Sequence, residues 1–409
     1  MTVTTPRMEY VLKAQLELFP QPLEVSEAGQ RRRCLVKHTT VDGTSFEHSV
    51  WFLYPAQLAL PADLDCDAYL LSALLPAMKL NADIIVHGRV CQQLLANLSE
   101  WQQVWHAWCP ELYFPVDINV TELRAAEASA PDALVAFSGG TDAQFTTYRH
   151  VTGQAGYATQ KLRAGVLVQG FDIELSDTTG FAGAAEKARD TLSSLDLNLI
   201  TAQTNTRECW DIYWPHYYGT AVAAVLSGLK KVAGTGLIGS GPTYSALFTP
   251  CGSHPITDPL LSSSSFKLVH DGAGFSRSQK ITLLANWPTG VSNLRVCWAG
   301  SQKDRNCGRC EKCVRTQLNF LLAGVANPSC FSVPLKASSF KSVVLHSDGA
   351  RAEWDLLRRE ILRTGIGSEW LADVNQVLKR RATPTVDVLL PKGSRRREWA
   401  KQMVAGVRK

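Results

Sequence analysis

The spacing of apolar and polar positions divides the 409-residue chain into three stretches. In the first, alternation with a period of two predicts strands at Arg33–Thr39 and Ser45–Leu53. A short apolar run predicts another at Asp83–His87, and Phe114–Val120 is the last strand candidate there. Apolar residues recur every three to four positions over Cys66–Met78 and Cys91–Trp108, the period of helices. The second stretch opens after the small-residue segment Ala126–Pro131, which reads as a linker. Strand patterns at Ala133–Phe137, Ala164–Gln169, Leu197–Ala202 and Lys231–Gly234 now alternate with helical ones over Phe181–Ser193 and His216–Leu229. Strands separated by helices predict an α/β fold with a doubly wound, Rossmann-like parallel sheet, whose ligands sit at the carboxyl ends of the strands. The third stretch carries clustered cysteines and then helical, basic sequence. The predicted organisation is an α+β scaffold or docking domain over 1–130 and a doubly wound α/β domain over 131–290. A four-cysteine element over 291–330 and a helical basic region over 331–409 follow.

Composition narrows the class. The chain is 45% hydrophobic and 19% charged, as globular proteins are, and no run of about 18 apolar residues predicts a membrane span. The first residues lack a basic region followed by an apolar one, so the expected location is the cytoplasm. The eleven cysteines are therefore expected as thiols or metal ligands rather than disulfides. The net charge of +5 is uneven: Lys379–Lys409 holds ten Lys/Arg against Asp387 and Glu398, a local +8. Such a terminus could touch nucleic acid or an acidic partner. A solvated helical tail is the favoured reading, because Trp399 is its only aromatic residue.

Residues 133–150 read ALVAFSGGTDAQFTTYRH, a strand running into Ser138-Gly139-Gly140-Thr141-Asp142 and then a helical pattern. Glycines let the backbone approach a phosphate without a Cβ in the way, and the helix start supplies N–H donors and a favourable dipole. Ser138 and Thr141 add hydroxyls, and Asp142 is suited to hold Mg²⁺ or to cap the helix. The same residues also suit an ordinary strand-to-helix turn.

The second signal is Cys297-x9-Cys307-x2-Cys310-x2-Cys313. Four thiolates at this spacing can close a tetrahedron around zinc, in a structural role because every ligand is protein. The basic neighbours Arg305, Arg309 and Lys312 offset thiolate charge. The spacing also admits an iron–sulfur cluster.

The loop resembles that of the N-type ATP pyrophosphatases, Ser-Gly-Gly-x-Asp-Ser after a strand, with Ala143 in place of the final serine. Followed by Cys-Gly-x-Cys-x-x-Cys, it is similar to the 7-cyano-7-deazaguanine synthases, over about 133–320. The resemblance implies an ATP-binding domain of the adenine nucleotide alpha hydrolase type, with ATP, Mg²⁺ and Zn²⁺ as cofactors. It also implies adenylation of a 7-carboxy-7-deazaguanine-like deazapurine with pyrophosphate release. Those synthases lack the first 130 residues and the basic tail. Enlarged relatives occur in bacterial anti-phage operons, where the chemistry is redirected to join a deazaguanine to a protein amine. The expected activity is therefore an AMP- and pyrophosphate-forming ligase whose acceptor is a partner protein. The alternatives are a synthase using ammonia, a nucleotide-binding module without turnover, and, last, an RNA-thiolating enzyme.

Further candidates are more weakly marked. Arg277 and Lys280 could neutralise charge at the α-phosphate and are grouped with Asp142 as catalytic candidates. Gly234 and Thr235 end the fourth predicted strand, His254 and Asp258 lie in a polar, proline-broken loop, and His216 follows the third strand. These five are the expected substrate-pocket residues, although a lone histidine such as His216 is more often structural. The aromatic group Trp210, Tyr213, Trp214, Tyr217 and Tyr218 could stack a purine-like ring, though such clusters are more often core.

Overall fold

A computed structural model describes residues 13–297, 299–300 and 302–380. The basic terminus singled out above lies almost wholly outside the described residues. In chain order the first elements are β1 (Ala14–Pro20), β2 (Glu24–Ser26), β3 (Gly29–Thr39), β4 (Ser45–Tyr54), α1 (Asp67–Leu80), β5 (Ala82–Cys91), α2 (Gln92–Trp108) and β6 (Ile118–Arg124). Then come β7 (Ala133–Ala136), α3 (Thr141–Val151), β8 (Leu162–Gln169), α4 (Thr178–Ser193), β9 (Asn198–Thr204), α5 (Thr206–Cys209), α6 (Trp214–Ser227), β10 (Thr235–Gly239) and β11 (Lys267–Asp271). The rest is helical: α7 (Arg277–Leu284), α8 (Pro288–Ser292), α9 (Glu311–Leu322), α10 (Ala337–Lys341), α11 (Asp348–Thr364) and α12 (Leu371–Lys379). Among the described residues no helix is long and apolar enough to cross a membrane.

All eleven strands join one mostly parallel sheet in the order β11-β10-β7-β8-β9-β4-β3-β1-β5-β6, with β2 on β3. The five strands β11, β10, β7, β8 and β9 run parallel. Their order reverses between β7 and β10, which opens a crevice at the carboxyl ends of those two strands. Alternating side chains fill two cores on opposite faces. Val166, Ile200 and Ile238 pack with α1, α2 and α6, while Val135, Leu167 and Leu237 pack with α4.

The sheet does not stop at the predicted linker, although 125–130 are indeed outside any helix or strand. β4 pairs antiparallel with β9, Phe52 opposite Thr204 and Leu53 opposite Gln203. Asn205 closes the joint, accepting from the Trp51 amide at 2.9 Å and donating to the Ser49 carbonyl at 2.8 Å. The buried Lys230 ion-pairs with Asp65 and Asp67 of the first stretch, and Arg124 meets the same two carboxylates.

Three expectations are corrected. The predicted strand at Lys231–Gly234 is the turn that ends the preceding helical segment, and the strand itself begins at Thr235. The strand expected at Phe114–Val120 is displaced to Ile118–Arg124, because Phe114 binds the end of α1 through its amide and the Met78 carbonyl. β1 and β11 were not marked by the pattern; β11 is a five-residue edge strand, too short for its period to show.

Candidate functional site: the phosphate loop and the cysteine knuckle

The Ser138–Asp142 turn lies at the carboxyl end of β7, on the crevice where the strand order reverses. Gly139 takes a φ of +75°, a left-handed conformation that glycine reaches without strain. Gly140 caps α3, and its amide donates to Ser138 Oγ at 3.3 Å. Arg295 holds the turn from behind: its amide donates to the Gly139 carbonyl at 2.9 Å and its guanidinium to the Ser138 carbonyl at 2.8 Å. With those carbonyls engaged, what the turn offers a ligand is the set of amides in the first turn of α3. The Thr141 hydroxyl is buried there, with no hydrogen-bond partner among the described residues. An orphan hydroxyl at a helix start fits an incoming phosphate oxygen.

Asp142 does not cap α3; its side chain turns to two cations. Lys280 Nζ lies 2.9 Å from one carboxylate oxygen and Arg277 lies 3.1 Å from the other. Burial by itself would raise the carboxyl pKa, but Arg277 and then Lys280 outweigh it and hold Asp142 below the ordinary carboxylate value. Both cations stand on α7, started by a capping box in which Ser276 Oγ accepts from the Gln279 amide and the Gln279 side chain accepts from the Ser276 amide. Their spacing of three residues puts them on one helix face. The Lys280 side chain is 1% exposed and also donates to the Ser240 carbonyl. Thus the structure brings Asp142, Arg277 and Lys280 together from segments far apart in sequence.

Two more cations come from α9, which begins directly after Cys310. Arg315 ion-pairs with Glu311 at 2.6 Å and with Glu353 of α11 at 3.2 Å. Burial, then the neighbouring Arg315 and Arg277, pushes the Lys312 ammonium down to about 8. A cavity of about 410 Å³ opens between these groups and the strand ends. Among its described lining residues, Arg277, Arg295, Lys312 and Arg315 face two carboxylates, Asp142 and Asp172. Apolar and aromatic residues, Phe171, Trp214 and Tyr218 among them, also line it. The lining therefore offers both cations for an anion and aromatic surface for a flat ring.

The cysteine knuckle sits at the start of the same helix. Cys297 Sγ and Cys310 Sγ lie 3.8 Å apart, as do those of Cys307 and Cys313, and all four sulfurs fall within 4.8 Å of one another. A zinc tetrahedron with bonds of about 2.3 Å needs sulfur separations of about 3.8 Å, so the donor set fits such an ion. Gly308 makes the turn at a φ of +71°, and a Cβ there would lie 2.8 Å from Val333. Asn306 ties the knuckle: its side-chain oxygen accepts from the Val296 and Cys297 amides, and its nitrogen donates to the Leu294 and Cys330 carbonyls. Of the other cysteines, Cys34 and Cys251 are buried thiols, as expected.

None of the five expected substrate-pocket residues is among the described residues lining the cavity. Gly234 and Thr235 lie at the amino end of β10, with Thr235 opposite Ala133, and a Cβ on Gly234 would meet Ser129 Oγ at 1.9 Å. The predicted strand ended where the real one begins, so both lie at the opposite end of the strand from the crevice. His254 packs edge-on against Trp108. Asp258 is fully buried and knits the loop, accepting from Ser253 Oγ, the His254 amide and His270 Nδ1. His216 hydrogen-bonds Tyr113 at 2.8 Å beside Trp105. Of the aromatic group, Trp214 and Tyr218 reach the cavity, whereas Tyr217 is core and Tyr213 is 45% exposed.

Burial lowers the His216 pKa to about 4 from 6.5. The unfolded chain therefore takes up a proton that the folded one refuses, so this stability is full above about pH 6.5 and is lost as pH falls towards 4. His216→Gln is expected to remove about 2 kcal/mol of the stability difference between pH 7 and pH 5, read from urea unfolding at both. An unchanged slope would show that His216 is not shielded.

Sequence reasoning missed Arg295, Arg315, Asp172 and the cavity role of Lys312. Only Lys312 and Arg315 carried a usable signal, a spacing of three residues running out of the cysteine motif. Comparison with protein-family models, with curated proteins and with solved structures finds no match.

Proposed function

We propose that this chain is an ATP-using, pyrophosphate-releasing ligase of the N-type ATP pyrophosphatase kind, with β7–β11 as its doubly wound nucleotide-binding sheet. The observation that carries this reading is the convergence of Ser138 and Asp142 from the Ser-Gly-Gly-Thr-Asp turn with four cations and aromatic side chains on one cavity. In the reaction, a carboxylate oxygen of a deazapurine substrate attacks the α-phosphorus of ATP. The bond from that phosphorus to the bridging oxygen breaks, and pyrophosphate departs into the α3 amides, Arg277, Lys312 and Arg315. An amine then attacks the acyl carbon, loses a proton, and AMP leaves. Asp142 fixes Lys280 and Arg277, while Trp214, Tyr218 and Phe171 hold the ring and exclude water.

Asp142 and Asp172 are the residues that would hold Mg²⁺, which when bound neutralises phosphate charge; on Asp142 it would displace one of the two ion pairs. Cys297, Cys307, Cys310 and Cys313 would hold Zn²⁺ in a structural role. The resemblance supplies the 7-carboxy-7-deazaguanine-like substrate and the protein acceptor in anti-phage defence.

The test is pyrophosphate release from ATP with 7-carboxy-7-deazaguanine, alone and with partner proteins co-expressed from neighbouring genes, with intact masses recorded. A deazaguanine-sized mass gain on a partner is expected. Free nitrile with ammonia would return the chain to the synthase role. A second reading, a binding module, is favoured by Ala143, which stands on the cavity wall where the family pattern has a hydroxyl. Absence of pyrophosphate with every acceptor, alongside measurable ATP binding, would establish it and sink the ligase.

A further inference from the structure

α11 packs on α9 through an apolar cluster that includes Val314, Leu318, Trp354 and Leu357, and it reaches the cation wall with Glu353. Glu353, with a side chain 12% exposed, places Oε2 3.3 Å from Nε of Arg277 and 3.2 Å from a terminal nitrogen of Arg315. These arginines belong to α7 and α9, and both line the cavity. Among the described residues each has one other carboxylate partner, Asp142 for Arg277 and Glu311 for Arg315. Glu311 in turn accepts from Nε1 of the fully buried Trp354 at 2.8 Å. Glu353 is thus the only described carboxylate that pairs with both guanidiniums.

We propose that Glu353 is a positioning residue, an internal counter-anion that holds Arg277 and Arg315 together as a two-guanidinium clamp for an oligophosphate. This rests on the phosphate reading of the cavity. Removing its charge has two effects of opposite sign. The wall becomes more positive, so an oligophosphate binds more tightly. The guanidiniums lose their common anchor, so the bound phosphates are no longer aligned for departure. A residue needed only for folding would lower binding and turnover in proportion.

The test compares wild type, Glu353→Gln and Glu353→Asp in the full chain, with thermal melting as a check on folding. Calorimetry with inorganic tripolyphosphate reports the charge, and pyrophosphate release at saturating ATP reports the alignment. Glu353→Gln is expected to bind tripolyphosphate about tenfold more tightly while releasing pyrophosphate at least tenfold more slowly. Glu353→Asp keeps the charge but shortens the reach, so its affinity stays at the wild-type value and its turnover falls. Equal losses of binding and turnover in Glu353→Gln, or no change in either, overturn the proposal, as does a Glu353→Asp variant that turns over normally. If wild type binds tripolyphosphate but releases no pyrophosphate, the ligase reading fails by itself. The counter-anion is then judged on affinity alone, where tightening in Glu353→Gln upholds it and unchanged or weaker binding overturns it. If wild type does not bind tripolyphosphate, both readings fall.

Discussion

Asp142→Asn is expected to lower pyrophosphate release by at least a hundredfold and to destabilise the fold by about 3 kcal/mol. The two losses have one origin. Lys280 is almost completely enclosed, and among the described residues its ammonium meets the Asp142 carboxylate, the Ser240 carbonyl and the face of Phe145. An amide at position 142 leaves that charge uncompensated in a poorly hydrated site, which costs more than the pair itself contributes. Arg277 loses its link to the Ser138–Asp142 turn at the same time. Because the Asp142 carboxyl is held below its ordinary value, its contribution to wild-type stability is present above about pH 4 and lost as pH falls further. Urea unfolding at pH 7 measures the first loss and a coupled pyrophosphate assay the second. A double variant, Asp142→Asn with Lys280→Met, separates them, since it removes the stranded charge and is expected to regain stability without regaining turnover. Recovery of turnover in the double variant would show that neither group takes part in the chemistry.

Cys310→Ser is the second large effect, and it is expected at a distance from the sulfur. Wild-type protein should contain about one zinc per chain by elemental analysis, and the variant substantially less. Metal binding at such a knuckle typically contributes about 10 kcal/mol or more to local folding. Here the fold it supports is the start of α9, where Lys312 follows Cys310 by two residues and Arg315 by five. The variant should therefore lose tripolyphosphate affinity by at least tenfold although no cysteine touches the cavity. Cys330→Ser, altering a nearby cysteine outside the four-sulfur group, should retain both metal and affinity. A zinc-free variant that binds tripolyphosphate normally would uncouple the knuckle from the site.

The chemistry-bearing motifs were legible because each is local. The strand, the Ser-Gly-Gly-Thr-Asp turn and the helix after it are contiguous, so backbone preferences and side-chain types speak together. The cysteines reveal themselves by spacing, and the sulfurs indeed lie at metal-ligand separations. Arg277 and Lys280 could be listed from their helix but not aimed: only the folded chain puts them on Asp142, about 135 residues upstream. The pocket residues were misplaced for a physical reason. Lys231–Gly234 has the apolar character of a short strand, yet the strand starts at Thr235, and that shift moves Gly234 and Thr235 to the far end of the sheet. Likewise, nothing in the local sequence of Asn205 announces that β9 pairs with β4 across some 150 residues.

That pairing decides where motion can be accommodated. Strands locked by a common ladder of backbone bonds shear only if the ladder breaks, so the first and second stretches of the chain act as a single floor beneath the cavity. α11 is tied to the same cavity twice over, by the apolar cluster it shares with Val314 and Leu318 of α9 and by the Glu353 carboxylate on Arg277 and Arg315. The C-terminal helical layer is therefore keyed to the cation wall, so a substitution that loosens its apolar seat on α9 is felt at Arg277 and Arg315.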